Sequence, residues 1–204
     1  MEINENTKTR ILEHLNEFIL SDNDKSEIET KRHYFQSNFD AEQILSLDKE
    51  HYFQGKGIKK GNFTYELEWN SKCLGGIGGG SVYKFGYEED FDELKKFMAM
   101  IVSATDSYET FYDAEGNLTE FSKRIISQSK QLKGVKRVFV GKVLSIYFPE
   151  IFMDIFTHQE FFLEKIFIDY NPEYTGVELY FKNINLMVDI FVAHSKVNRR
   201  VLMR

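Results

Sequence analysis

Acidic residues close to lysines are the residue types that a metal-dependent nuclease would use. Glu66 and Glu68 fall on a predicted strand, and Lys84 falls on the strand predicted to follow it. A nuclease of the acidic–x–lysine type needs that triplet on a strand behind a further acid. The triplets present, Glu29-Thr30-Lys31 and Glu93-Leu94-Lys95, fall in a polar loop and on a predicted helix, where solvated surface pairs are the simpler interpretation. We therefore predict no catalytic residue and keep a metal-dependent nuclease as the third alternative.

Metal-binding and nucleophilic residues are equally scattered. The five histidines show no i, i+4 pairing and no cysteine partner: His14, His33, His51, His158 and His194. Cys73 is the only cysteine, which excludes an internal disulfide and fits a reducing cytoplasm. A small packing residue is the simpler interpretation of Cys73, because no histidine lies near it in sequence. We predict no metal site and no cofactor.

The segment LGGIGGG, residues 74–80, has five glycines in seven positions. Backbone N–H groups in such a loop can surround a phosphate. A Walker A loop, however, needs Gly-Lys-Ser/Thr at the start of a helix, whereas a strand pattern follows here, so nucleotide binding is not predicted. The loop is interpreted either as a DNA contact or as the structural end of a hairpin. The DNA interpretation uses Lys72, Gly78, Gly79, Gly80, Ser81 and Lys84.

The segment from Phe121 to Pro149 contains no acidic residue. It holds seven basic ones: Lys123, Arg124, Lys130, Lys133, Lys136, Arg137 and Lys142. The whole chain has a net charge of −6, so the remainder carries −13. Charge segregated in this way indicates one basic face on an acidic body. Lys123, Arg124 and Lys130 are predicted to share the solvent face of a helix.

These residues must be positioned by the elements around them, beginning with a predicted hairpin. Four apolar or aromatic residues alternate with polar ones: Phe63, Tyr65, Leu67 and Trp69. A period of two predicts a strand with one buried face, and residues 82–87 provide a second. The aromatic side chains are interpreted as core rather than as a stacking surface for an extruded base. Trp69, next to the glycine loop, is the exception and is assigned to DNA binding.

Helical periodicity accounts for most of the remaining chain. Apolar stripes predict helices at 7–20, within 39–53, after Asp90, after Asn117 and after Thr175, and residues 21–30 are predicted to be a loop. Residues 135–148 are apolar nearly all round, which fits either a buried helix or a buried strand stopped by Pro149. Capping boxes are predicted for the pairs Asp40–Gln43, Asp90–Glu93, Asn117–Glu120, Thr157–Glu160 and Thr175–Glu178. The last helix has the clearest stripe, formed by Val177, Tyr180, Phe181, Ile184, Met187, Val188 and Phe191.

Two blocks of sequence resemble the N-terminal region of AAA+ restriction proteins from modified-cytosine (McrBC-type, LlaJI-like) systems. The first comprises FTYELEW, LGGIGGGS and YKFGY, and the second is GKVLSIYFPEIFMDIFTHQEFFLEKI; together they lie within Phe39 to Ile168. The resemblance implies target recognition on double-stranded DNA, and it favours a helix over a strand for residues 135–148. On that basis we predict that six residues of the basic segment bind DNA: Lys123, Arg124, Lys130, Lys133, Lys136 and Arg137. The resemblance also implies that an AAA+ motor in the same natural chain and a separate nuclease subunit carry the enzymatic activities, as part of antiviral defence.

The fold expected is α+β: a small antiparallel sheet built on the glycine-rich hairpin, packed with and followed by several helices. We expect a single domain over residues 1–204, with a possible division near 89 into a mixed part (1–88) and a mainly helical part (89–204). The apolar ending Val201-Leu202-Met203 suggests a natural chain that continues past Arg204. No apolar run reaches the ~18 residues of a spanning helix, so no membrane partner is expected. The predicted function is non-catalytic DNA binding in a restriction complex, with a protein-interaction or adaptor domain as the alternative.

Overall fold

The computed structural model describes residues 3–17, 21–53, 60–77, 88–153 and 159–194, and this part of the chain is mostly helical. The helices, numbered in chain order, are α1 Glu5–Glu17, α2 Asp22–Asn38, α3 Ala41–Ser46, α4 Lys49–Tyr52, α5 Phe63–Tyr65, α6 Phe91–Val102, α7 Tyr108–Phe111, α8 Glu120–Gln131, α9 Arg137–Tyr147, α10 Gln159–Ile166 and α11 Gly176–His194.

The predicted α+β fold is wrong, because the described residues contain no strand or sheet. Their only β-type pairings are two isolated antiparallel bridges, Ile3 with Phe167 and Tyr112 with Leu118. The segment predicted as the first strand is helix α5, which continues into a π-helical turn, Glu66–Asn70, and a 3₁₀ turn, Lys72–Leu74. The second predicted strand, residues 82–87, lies outside the described residues.

The strand predicted from the alternation of Phe63 to Trp69 is wrong because the same residues also fit a helical spacing. Phe63 and Leu67 are both buried and stand four residues apart, one helical turn, and Leu74 is buried seven residues further on. Tyr65 is only half-buried, and Trp69 keeps 54% of its surface exposed. A short apolar run of this kind does not distinguish a helix from a strand, and packing decides the outcome.

The predicted loop at residues 21–30 is also wrong, since these residues form the first half of α2. The Ser21 side chain accepts a hydrogen bond from the Asp24 backbone N–H at 3.1 Å, capping the helix, and Asp22 and Asp24 lie favourably at its positive end. Apart from half-buried Ile28, the first two turns of α2 are exposed, so they carry no apolar stripe to detect. The helix reaches the core further along, through Phe35.

Several predicted helix starts are confirmed and one is shifted. Asp40 and Gln43 form the predicted capping box, with both hydrogen bonds at 2.8 Å. Helix α6 begins after Asp90 as predicted, although the Asp90 side chain makes no capping bond. Helix α8 is capped by Thr119, whose hydroxyl accepts from the Ser122 N–H, and not by the predicted Asn117. The predicted cap at Thr157 lies outside the described residues.

Helix α9 lies at the centre of the molecule. Every residue from Phe139 to Ile146 is buried, and the helix ends at Tyr147, two residues before Pro149, as the sequence predicts. It packs against α2, α6 and α11, so the core joins residues from both sides of position 89. The predicted inward stripe of α11 is confirmed over the residues whose side chains are described: Val177, Tyr180, Phe181, Ile184 and Met187.

Helix α11 also packs closely against the turn that follows α7. Gly116 in that turn has φ +78°, and its carbonyl accepts a hydrogen bond from the Asn185 side-chain amide at 3.0 Å. A Cβ at Gly116 would come within 2.9 Å of that amide nitrogen. We expect Gly116→Ala to lower the free energy of unfolding by about 1–2 kcal/mol, since it adds left-handed strain to a close contact.

The matched control for this prediction is Gly76→Ala. Gly76 is exposed, its φ lies outside the left-handed region, and a Cβ there would meet nothing within 4 Å. Urea denaturation of both variants measures the difference. Equal stability of the two variants would show that the Gly116–Asn185 contact adjusts without cost.

Candidate nucleic-acid interface

Helix α8 presents its basic residues to solvent because its apolar side is packed inward. Ile125 and Ile126 are buried, whereas Lys123, Arg124 and Lys130 are exposed. The predicted common face is divided in two. Lys123 and Lys130 line a groove of about 580 Å³ between α8 and α11, and Arg124 lines a separate groove of about 330 Å³ between α8 and α6.

The groove between α8 and α11 contains residues that the sequence did not associate with the basic segment. Lys182 joins Lys123 and Lys130 there, and its ammonium lies 5.4 Å from the ring centre of Tyr174, which is 39% exposed. Asp113 also lines it, and the backbone N–H of Asn117 lowers the pKa of that carboxyl. Lys182 was predicted to face outward, but only the packing of α8 on α11 brings it to this groove.

Acidic residues from outside the basic segment pair with several of its lysines. Lys123 contacts Glu120 at 2.7 Å, Lys130 contacts Glu178 at 3.1 Å, and Lys133 contacts Glu89 at 2.6 Å. The lysine side chains in these pairs remain 58–62% exposed. The absence of acids within the segment therefore did not imply an unneutralised surface, since acids just before it, in α11 and before α6 pair with its lysines.

The remaining predicted residues of the segment differ in exposure. Lys136 is exposed immediately before α9, and the described residues form no ion pair with it or with Arg124. Arg137 forms a short ion pair with Glu160, with side chains only 19% and 29% exposed, and so links α9 to α10. Arg137 therefore has a structural contact that the more exposed lysines do not share.

Lys142 is the basic residue that the structure places furthest from solvent. Its side chain is fully buried in α9, and its ammonium donates to the backbone carbonyls of Ser71 and Leu74 at 2.6 Å and of Gly75 at 2.7 Å. The sequence counted it with the basic face, because linear charge does not distinguish a solvated lysine from a buried one.

Trp69 and Lys72 form a second exposed site, on a different part of the fold. Both are exposed, and the turns that carry them pack against α2 and α9, whereas α8 packs against α6, α7 and α11. The structure therefore does not join them to the α8 residues within the described part of the chain. The other predicted DNA contacts lie outside the described residues: Gly78, Gly79, Gly80, Ser81 and Lys84.

The carboxylate of Glu66 lies in a hydrogen-bonded network and not beside a lysine on a strand. Glu66 is 3% exposed; one of its oxygens accepts from the Gly61 N–H at 2.7 Å and the other accepts from the Asn70 amide. Lys31 in turn donates to the Asn70 side-chain oxygen at 2.6 Å. Burial, together with the nearby Glu66 charge, raises the pKa of Tyr34. This network holds the π-helical turn against α2.

The two acidic–x–lysine triplets also serve structural contacts. Glu29-Thr30-Lys31 lies on α2, and its lysine is the one that bonds Asn70. In Glu93-Leu94-Lys95, on α6, Lys95 pairs with Asp92 at 3.2 Å, while Glu93 pairs with Lys96 at 2.7 Å. The acid and the lysine of that triplet therefore have different ion-pair partners.

The only cysteine of the sequence lies at the surface. Cys73 is exposed, and partial burial of the thiol followed by the charge of Glu27 raises its pKa. A raised pKa reduces the thiolate fraction at neutral pH, which makes the thiol a poor nucleophile. Among the described residues, no group of three or more His, Cys, Asp or Glu side chains is placed to hold a metal ion.

Within the described ranges, no helix combines the length and the apolar character needed to cross a membrane. Comparisons of the chain with protein-family models, curated proteins and solved structures found no match. The resemblance to AAA+ restriction proteins therefore rests on the two quoted sequence blocks alone.

Proposed function

We propose that this chain is a non-catalytic module that binds double-stranded DNA through the exposed basic residues of α8 and of the α8–α9 connection. The residues proposed to contact phosphates are Lys123, Arg124, Lys130, Lys133 and Lys136. The observation that supports the proposal is their exposure along one continuous segment, with ion pairs formed only at the surface. We name these five residues the α8 basic surface.

The surface ion pairs do not prevent DNA binding. An exposed pair such as Lys123–Glu120 contributes only about 0–1 kcal/mol, because water and salt screen it. A lysine that exchanges a carboxylate for a DNA phosphate also releases a condensed counterion, which favours binding. The acidic remainder of the chain would repel DNA elsewhere and so restrict binding to this surface.

The sequence resemblance provides the biological context of the proposal. In that context the module works in the cytoplasm as the recognition part of a restriction complex. An AAA+ motor in the same natural chain would hydrolyse nucleotide, and a separate nuclease subunit would cut DNA. The glycine-rich segment that follows Leu74 is proposed as a further DNA contact.

The experiment that tests the proposal compares two double variants of equal charge. Lys123→Ala with Lys130→Ala removes two residues of the α8 basic surface. Lys25→Ala with Lys96→Ala removes two similarly exposed lysines on α2 and α6, each of which forms one surface ion pair, as Lys123 and Lys130 do. Fluorescence anisotropy with a labelled duplex should show weaker binding and a log–log salt slope flatter by about 1.8 for the first variant only, at about 0.9 per phosphate contact. The same change in both variants would mean that DNA binding depends on net charge and not on the α8 basic surface.

One observation favours the alternative of a protein-interaction domain. Two large apolar side chains near α10 are mostly exposed, Phe161 by 62% and Ile168 by 66%. A contiguous exposed apolar patch often marks a protein contact, and these two side chains are the candidates for one. If duplex DNA does not bind at low salt, this alternative becomes the better account.

A further inference from the structure

Two lysines of other helices donate hydrogen bonds to the segment that carries Trp69. We call residues 66–75 the Trp69 turn. Lys142 of α9 donates to three of its backbone carbonyls, those of Ser71, Leu74 and Gly75, at 2.6–2.7 Å, and Lys31 of α2 donates to Asn70 at 2.6 Å. The end of a helical segment has carbonyls without partners in the helix, and a cation there is favourable.

The same segment exposes the side chains that could contact a ligand. Trp69 keeps 54% of its surface in solvent, and Lys72 is exposed three residues later. A tryptophan beside a cation is a common combination at nucleic-acid contacts, because the ring stacks or packs while the ammonium binds phosphate. A backbone fixed before binding loses little conformational entropy on binding, which improves affinity.

We propose that Lys142 is a positioning residue, which acts through the Trp69 turn and makes Trp69 and Lys72 a second DNA contact, separate from the α8 basic surface. This inference rests on the proposed function. It adds to that function a buried lysine that affects DNA binding without contacting DNA. The ammonium of Lys142 is buried and donates to the three carbonyls, so Lys142 acts through the position of the turn and not by contacting DNA.

The first test uses the unaltered chain, in which Trp69 is the only tryptophan. A labelled duplex of mixed sequence is added while its anisotropy and the Trp69 emission are followed together. The proposal expects Trp69 emission to change, and its quenching by acrylamide to fall, in parallel with the anisotropy. DNA binding without any change at Trp69 would overturn this inference and leave the proposed function intact. If anisotropy shows no binding, the proposed function fails and this inference fails with it.

The second test is a double-mutant cycle of Trp69→Ala with Lys142→Met. Trp69→Ala should weaken duplex binding by about fivefold or more, as for a tryptophan at an interface hot spot. Lys142→Met should weaken it by a similar factor, and the double variant should lose no more than either single variant. Leu163→Ala is the control, since it removes a fully buried side chain of α10 and lowers stability without touching the turn.

The outcomes of the cycle separate positioning from general stability. Additive losses in affinity, or an equal loss in Leu163→Ala, would show that Lys142 acts only on stability and would overturn the proposal. If Lys142→Met does not fold, Lys142→Gln, which keeps a donor for the carbonyls but removes the charge, takes its place in the same cycle, and the same outcomes support or overturn the proposal.

Discussion

Lys142→Met is expected to lower the free energy of unfolding by about 2–4 kcal/mol, because buried carbonyls lose a charged donor and a hydrogen bond to a charged group contributes about 1.5–3 kcal/mol. Methionine has a similar length and no donor, so the carbonyls of Ser71, Leu74 and Gly75 would lose the ammonium that they share. Each buried polar group left without a partner costs about 1–3 kcal/mol, which the saving from not burying a charge offsets only in part. Against a typical total stability of about 5–15 kcal/mol, the loss should be large.

Urea denaturation followed by circular dichroism measures this effect, with Lys96→Met as the control. Lys96 is exposed and pairs only with Glu93 on its own helix, so its replacement should change stability by no more than about 0.5 kcal/mol. If Lys142→Met is as stable as Lys96→Met, the carbonyls of the turn find other donors and Lys142 does not hold it.

Phe111→Ala is expected to lower the free energy of unfolding by about 3–5 kcal/mol, because it removes a central core side chain. The Phe111 ring is fully buried. Its centre lies 4.9 Å from the ring centres of both Phe148 and Phe152 and 5.7 Å from that of Phe121. Alanine would leave a cavity among rings that come from three separate parts of the chain, and these rings cannot all move to fill it.

The control for Phe111→Ala is Phe161→Ala, which removes the same group at a site that is 62% exposed. Thermal unfolding should show a clear fall in Tm for the first variant and a small shift for the second. Similar shifts would mean that the aromatic cluster around Phe111 repacks readily and contributes little specific stability.

Helices with a clear apolar stripe could be predicted from sequence, and the reason is physical. In α11 the residues Val177, Tyr180 and Ile184 face a single core, so burial imposes a period near 3.6 on the sequence. The apolar run of α9 fitted a buried strand as well as a buried helix; only the sequence resemblance favoured the helix, whereas Pro149 predicted where the element stops. The Asp40–Gln43 capping box was also predictable, because its two hydrogen bonds need only local residues.

The remaining features depend on contacts between distant parts of the chain. The first turns of α2 are almost entirely solvated, so hydrophobic periodicity could not reveal them. The alternation of Phe63 to Trp69 fitted a strand as well as a helix, and burial of Phe63 and Leu67 on one side of a helix decided it.

The candidate site shows the same limit. The exposure of Lys123 and Lys130 was predicted from the helical face opposite Ile125. Their ion pairs with Glu120 and Glu178 were not, and the Glu178 pair needs α11 to pack beside α8. The sequence indicated Lys142 only as one more positive charge. Its burial depends on contacts with the Trp69 turn, about 70 residues away in the chain, which a local pattern cannot show.

Titration of the unaltered chain with a labelled DNA duplex at several salt concentrations tests the central claim most directly. If the five residues of the α8 basic surface each contact a phosphate, the logarithm of the binding constant should fall with the logarithm of salt concentration with a slope of about −4.5. Binding should then be clear at about 50 mM salt and much weaker at about 200 mM. No binding at the lower concentration, or an affinity independent of salt, would contradict the proposal that this surface binds DNA.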